Sequence, residues 1–482
     1  MDSTTPLLSP NRVSPSYSNL IEFPPLVLRN GRGRRGTKKS LRTKIQIPLL
    51  CYARFMVMMA YFSIFPYVAL MVQHNSSSRA TDIGIYVGFF EVLFLAAQAL
   101  TSIFWVTIAD RFGGKTILIC ILIGTTISSA TFGFSSSLWQ MAFCRCFMGI
   151  LSGGDVVIRV MIGKRCMTET EATHGFSLSS FAGSIGMASG LVIGHSLASH
   201  VSHYSTILKT SSFLERHPFC LLGITIGIMS AACAIVATLF VEDVKRDANE
   251  AADDTPSTSS LLPSWTSLRE LIGSPGAIRT ISSFISISLL GSASTAVATL
   301  ALYTDISQGG LEFPGHKITM YMICQGAFAA CWLFVIYPAL YQHFGTQNII
   351  SASPVIFPFL FLSFGIMNAF VRSGSEPDFF LFRVVLAVMT FMGPAIYMAA
   401  TAAYVGLQGV SPNPRELGLL NGVAEAASCS LRLIVLSIGI LIYGFCNYHN
   451  VAFGYLNWVV LLLLGLSFLL LMCPTWTRLT QS

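Results

Sequence analysis

The chain has 482 residues, of which 53% are hydrophobic and 11% charged, with a mean hydropathy of +0.66 and a formal net charge of +7. A soluble globular protein carries about 25% charged residues to solvate its surface, and single hydrophobic cores stop growing beyond roughly 250–300 residues. A soluble protein is therefore excluded, and most of the exterior must face lipid.

Residues 1–46 are polar, rich in Ser, Pro and Arg, and lack the basic-then-apolar start of a cleavable signal. They read as a disordered cytosolic tail. The basic cluster from Arg29 to Lys44 stands just before the first apolar run, where such charge orients a span and contacts anionic head groups of the bilayer. No aromatic-interleaved basic fold surrounds it, so no nucleic-acid partner is expected.

A helix needs about 20 apolar residues to cross the hydrocarbon core. Runs of that kind lie near 47–71, 84–104, 116–134, 139–162, 174–198 and 218–241, then near 276–303, 318–342, 349–371, 379–404, 417–443 and 454–473. Residues 242–275 between the sets are acidic and Ser/Thr/Pro-rich, a solvated cytosolic linker. The expected architecture is all-α and polytopic: twelve transmembrane helices in two pseudo-symmetric six-helix bundles, 47–241 and 276–474, with a short cytosolic tail at 475–482.

Basic residues in the short loops set the orientation. With the N-terminus inside, the cytosolic side receives the 29–44 cluster together with Arg111, Lys115, Lys164, Arg165 and Arg415, among others. The opposite side receives only Arg79, Lys209, Arg216, Lys317 and Arg372, so both termini are expected in the cytosol. Asn75-Ser76-Ser77 then falls in the first outer loop as a glycosylation candidate.

The twelve cysteines are scattered through apolar segments without a CxxC pair and read as core filling. His195, His200 and His203 gather near the outer end of span 5 but lack a supporting Cys or carboxylate cluster. No metal and no cofactor is expected. Trp105, Trp139, Trp332 and Trp458 read as interfacial belt residues.

The halves carry a faint repeat. Asp110-Arg111-Phe112-Gly113-Gly114-Lys115 follows span 2, and Gln342-His343-Phe344-Gly345-Thr346-Gln347 follows span 8; Phe143-Cys144-Arg145 opens span 4, and Leu381-Phe382-Arg383 opens span 10. Repeated halves are how transporters build a central site.

The loop at Ala109 to Lys115 resembles the signature between spans 2 and 3 of the major facilitator superfamily, roughly G-x-x-x-D-R-x-G-R-K. Val106 stands at the first glycine position and Gly114 at the second arginine position. Ser63-Ile64-Phe65-Pro66-Tyr67, Val87 to Glu91, Arg145-x-x-x-Gly149, His217-Pro218-Phe219 and Leu417-Gly418-x-x-Asn421-Gly422 are similar to fungal members of the drug:proton antiporter branch, with zinc-induced-facilitator-like and tetracycline-resistance-like relatives. The resemblance implies the major facilitator fold, with Asp110, Arg111, Gly113 and Lys115 as the gating-loop motif. The span 5 antiporter signature survives as Gly186, Gly190 and Gly194, whose spacing allows close helix approach. Leu191 replaces its proline and His195 its last glycine.

A charge at mid-bilayer costs roughly 2.5–3.5 kcal/mol on insertion scales, so each needs a partner or a watery cavity. The candidates for transport or proton coupling are Arg54, Glu91, Arg145, Asp155, Arg159, Glu425 and Arg432. Asp155 and Arg159 stand at the acid-first i,i+4 spacing of a helix salt bridge, a structural reading weighed against a transport role. Glu91 has no base at that spacing, and a reversible proton carrier is the alternative to a structural group. The resemblance places Arg145 near the family's proton-relay region. Glu425 and Arg432 share a helix face two turns apart. Arg54 enters early in its span and is expected to snorkel toward head groups.

The expected function is secondary active transport by alternating access, as proton-coupled efflux of a small organic molecule by a monomer. The alternatives are a facilitated uniporter or importer on the same fold, and a receptor-like degenerate carrier. No nucleotide-binding fingerprint or nucleophile–base constellation occurs, so an enzyme is not expected. The plasma membrane is the expected location, with the vacuolar membrane as alternative.

Overall fold

The computed structural model describes residues 38–75, 80–166, 168–207, 217–243, 275–410 and 414–448, with scattered positions between 459 and 469. Among the described residues the regular structure is helical throughout. The first half comprises α1 (Lys38–Phe62), α2 (Phe65–Asn75), α3 (Ala80–Phe112), α4 (Gly114–Gly133), α5 (Leu138–Ser152), α6 (Asp155–Gly163), α7 (Glu169–Ile207) and α8 (Cys220–Phe240). The second comprises α9 (Pro275–Tyr303), α10 (Gly315–Cys331), α11 (Tyr337–Ala352), α12 (Ile356–Ser373), α13 (Glu376–Met392), α14 (Ala395–Val410) and α15 (Pro414–Tyr448).

These fifteen helices make eleven passes, because three spans are broken in the middle and one is turned at a corner. Span 1 breaks between Phe62 and Phe65, span 4 at Gly153-Gly154, and span 10 at Gly393-Pro394, where the proline has no N–H to continue the ladder. Spans 8 and 9 run on from Gly315 to Ser373 and turn at Gly345. The helical positions from Val459 to Leu469 belong to span 12, and Gly465 there lies against Phe361 of span 9. The chain therefore has the twelve-span, two-bundle architecture. The first helix starts at Lys38, within the stretch read as tail, and the remainder of the tail and linker residues 244–274 lie outside the described residues.

The repeat is visible in the backbone. Gly113 (φ 94°, ψ 140°) and Gly345 (φ 71°, ψ 165°) turn the chain at corresponding corners after spans 2 and 8, in a region that residues with a Cβ rarely enter. The indole of Trp105 in span 2 donates to the Ile150 carbonyl of span 4 at 2.6 Å, and that of Trp332 in span 8 donates to the Phe391 carbonyl of span 10 at 2.7 Å. Both indoles are buried, which corrects their reading as belt residues: each ties a span to its neighbour just before that neighbour's break. Trp139 is 82% exposed, as a belt residue should be, and Trp458 lies outside the described residues.

Span 5 packs most extensively on span 1. A methyl group at Gly186, Gly190 or Gly194 would meet the carbonyl oxygen of Phe55, Met59 or Ser63, respectively. Without a hydrophobic driving force between helices in lipid, such backbone-to-backbone approach is what holds them together.

Candidate functional site

Span 1 brings Arg54 and Tyr61 inward, span 2 brings Glu91, span 4 brings Arg145, Asp155 and Arg159, span 10 brings Tyr404, and span 11 brings Glu425 and Arg432. All seven charged candidates meet in two clusters. In the first, Arg54 is paired with Asp155, whose Oδ2 also lies 3.7 Å from Arg159 Nη2. Arg159 donates to Glu425 Oε2 at 2.8 Å, and Arg432 donates to Glu425 Oε1 at 2.9 Å. Tyr404 lies 4.6 Å beneath the Arg159 guanidinium, a cation–π contact. In the second, Arg145 donates to Glu91 Oε2 at 2.8 Å and Tyr61 donates to Glu91 Oε1. The Arg145 guanidinium is caged by the rings of Tyr61, Phe65 and Phe94 at 5.3–5.7 Å.

Two expectations change. Arg54 does not snorkel: its partner Asp155 is buried in the bundle, so its charge is answered by protein. Glu91, which has no base at helical pairing distance on its own helix, finds Arg145 on another. The helix pair Asp155–Arg159 exists, but Arg159 lies closer to Glu425, in the other half of the chain. Sequence reasoning missed Tyr61, Tyr404 and Cys429, whose thiol donates to Glu425 at 3.4 Å; the one signal available was a polar atom within an otherwise apolar run. Arg383, the counterpart of Arg145, is exposed.

At the end of the molecule that carries the signature loop, the halves are joined. Gln408 donates to the Gly163 carbonyl at 3.0 Å, and Thr346 donates to Glu169 at 3.0 Å. Asp110 pairs with Lys164 at 2.7 Å. Asp243 accepts the Lys115 backbone N–H at 2.7 Å, a carboxylate set at the positive N-terminus of α4. Arg111 lies over the Phe112 ring at 5.7 Å. Val106, at the motif's missing first glycine, faces Gly418 and Gly422 of span 11: a methyl on Gly418 would stand 2.8 Å from Val106 Cγ1. The space that a glycine in the loop motif would leave is supplied from the opposite helix.

In the adjoining loop, burial pushes the Cys166 thiol up to about 12 and lowers the Arg165 guanidinium. At the other end, the Asn75 amide nitrogen, which would carry a glycan, donates to the Ser135 carbonyl at 3.0 Å. His195 is half-buried, and the side chains of His200 and His203 lie outside the described residues.

A cavity between the halves encloses about 70 Å³, and the empty space reaches about 680 Å³ when its open mouth is counted. Phe62, Met187 and Leu191 form one wall, and Tyr321, Gln325 and Tyr397 stand on the other. Phe62 is eight residues along span 1 from Arg54, about 12 Å at helical rise. Tyr61 bonds Glu91 while its neighbour Phe62 lines the cavity, the two rings meeting edge-on at 4.8 Å.

Comparison with known proteins agrees with this architecture. The family model described as Major Facilitator Superfamily matches residues 50–435. The chain is 30% identical to the efflux pump azaK of Aspergillus niger over 477 residues, covering 98% of this chain and 95% of that protein. It is 23% identical to the major facilitator superfamily multidrug transporter mfsB of Aspergillus fumigatus, covering 85% of this chain and 79% of that one. Among solved structures, the proton:xylose symporter XylE superposes with a TM-score of 0.64 at 12% identity, covering 90% of this chain and 96% of XylE.

Proposed function

The chain belongs to the major facilitator superfamily, and on that premise we propose that it exports a small organic molecule by proton-coupled alternating access. The observation that carries this reading is the linked set of intramembrane ion pairs, which runs from Arg54 through Arg159 and Glu425 to Arg432, with Glu91 and Arg145 beyond. Four guanidinium groups face three carboxylates within the bundle, and ionisable groups inside a membrane span mark substrate and proton pathways by default. The similarity to azaK, named an efflux pump, supports the direction.

In this mechanism Glu91 carries the proton. Neutralising it frees Arg145 and releases Tyr61, which sits one residue from the end of α1 and next to a cavity wall. Span 1 can then bend at its Phe62–Phe65 break and alter the cavity. Opening the signature-loop end requires parting Arg159 from Glu425 and Gln408 from Gly163. The loop end faces the cytosol on the basic-residue asymmetry, with the plasma membrane as the site of action.

The test is efflux from cells or proteoliposomes with and without a protonophore, using Glu91→Gln beside the unaltered chain. Efflux should collapse with the protonophore, and Glu91→Gln should lose its pH dependence while inserting normally. Unchanged pH-dependent flux in that variant removes Glu91 from the mechanism. A second reading, facilitated uniport, is favoured by α7 running unbroken from Glu169 to Ile207 where the antiporter branch carries a proline; protonophore-resistant flux would select it.

A further inference from the structure

The intramembrane charges and the cavity do not mix. Among the described residues none that lines the cavity is charged, and the polar lining is confined to Ser294, Thr295, Tyr321, Gln325 and Tyr397. Every arginine of the two clusters is committed to a carboxylate elsewhere. Gln325 Nε2 donates to the Tyr321 hydroxyl at 2.7 Å. That bond leaves the Gln325 carbonyl oxygen, its second amide hydrogen and the tyrosine hydroxyl proton to engage a ligand. Gly393, at the break in span 10, lies directly behind this amide: a methyl there would stand 3.0 Å from Gln325 Nε2 and 3.2 Å from Oε1.

We propose that this cavity takes an uncharged, mostly apolar molecule, and that Gln325, steadied by Tyr321 and Gly393, reads its polar group. The assignment rests on the cavity being the transport site. An ionised ligand would shed its water here and meet no counter-charge, which is costly in an apolar surrounding. A ligand carrying a carbonyl or carboxamide exchanges water for the paired donor and acceptor of a primary amide. Its remainder meets Phe62, Met187, Leu191 and Phe364. A site built around buried hydrogen-bonding groups also rejects analogues that leave those groups unpaired, so Gln325 sets specificity as well as affinity.

Three fluorescent probes share one ring system and differ in charge: dansyl amide is neutral, dansylglycine anionic and dansylcadaverine cationic. Equilibrium dialysis against the full chain in lipid nanodiscs, with empty nanodiscs as background, ranks them. Dansyl amide should bind at least tenfold more tightly than either charged probe. Gln325→Leu should weaken it about tenfold and Gly393→Ala several-fold. Gln325→Asn, which keeps the amide but shortens its reach, should fall between Leu and the unaltered chain. Thermal unfolding of each variant shows that it is folded. Tighter binding of dansylglycine or dansylcadaverine, equal affinity of a folded Gln325→Leu, or no binding of any probe overturns the assignment. The measurement needs no proton gradient, so failure of coupled efflux leaves its outcome unaffected.

Discussion

Arg159 of α6 donates to Glu425 of α15 at 2.8 Å, and this ion pair crosses from the first six spans to the last six. Both residues are buried. Removing one partner leaves a buried charge uncompensated, which typically costs 3–5 kcal/mol, whereas replacing both with apolar residues is often neutral or stabilising. Glu425→Met, which strands Arg432 as well as Arg159, should lower the thermal midpoint in detergent more than Arg159→Met, and the non-additivity of the double replacement should reach at least 0.5 kcal/mol. Transport should stay lost in all three, because the pair must open and re-form during the cycle. Strict additivity of the two replacements would show that the pair does not couple the halves.

Tyr61 offers a separate test of coupling. Tyr61→Phe keeps the ring against Phe62, Phe65 and Phe94 but removes the hydroxyl that reaches Glu91. A single hydrogen bond to a charged group is worth about 1.5–3 kcal/mol. The expected result is a flattened pH profile of flux from a variant that still inserts and folds. A pH profile equal to that of the unaltered chain would detach Tyr61 from proton movement.

The glycine stripe predicts a contrast within one helix. A methyl at Gly190 would run into the Met59 carbonyl, whereas at Gly183 it would come no nearer than 3.5 Å to span 1. Gly190→Ala should part α7 from α1 and reduce the yield of folded protein several-fold, while Gly183→Ala should be close to neutral. Size-exclusion profiles of the two variants, expressed side by side, decide the matter; equal profiles would mean that span 5 tolerates a wider separation from span 1.

The twelve spans were legible because lipid demands long apolar runs, and the corner after span 8 was legible because Phe344-Gly345 repeats Phe112-Gly113. Every intramembrane charge of the site could also be picked out, since each is an anomaly in apolar text. Their pairing was not legible. Helical spacing tells which residues share a face, and so suggested Asp155 with Arg159 and Glu425 with Arg432; it says nothing about partners on other helices. Arg145 and Glu91 are separated by 54 positions and Arg159 and Glu425 by 266. The breaks in spans 1, 4 and 10 were hidden for a related reason: Ser63, Gly153 and Pro394 keep the hydrophobic run intact while changing the backbone.

Val106 and Gly418 illustrate the same point at the signature loop. Read along the chain, Val106 is an eroded motif position; across the interface it fills the space that Gly418 leaves. Gly418→Val should force the two side chains together and open the loop end, lowering thermal stability by about 1–3 kcal/mol, the usual range for overpacking. Adding Val106→Gly should restore much of it. The coupling between the two changes, measured as a double-mutant cycle, should reach at least 0.5 kcal/mol, and strict additivity would show that the two residues do not share that space.

Cys166 supplies a pH prediction outside the membrane-spanning segments. Its thiol is raised from 9 to about 12 by burial, and it donates to the Glu171 carbonyl at 3.5 Å. Since the thiolate is the reacting species, a shift of this size leaves about a thousandfold less of it near neutral pH. The folded pKa lies above the unfolded one, so the associated stability is fully present below pH 9 and is lost as pH rises toward 12. N-ethylmaleimide should therefore label Cys166 in the folded protein far more slowly than glutathione at pH 7.5, as followed by mass spectrometry of the peptide containing it. The labelling should quicken sharply above pH 9, where loosening of the Arg165–Cys166 loop and deprotonation act together. Rapid labelling at pH 7.5 would mean that this loop stands open to solvent, and that the closed signature-loop end is not the resting state of the carrier.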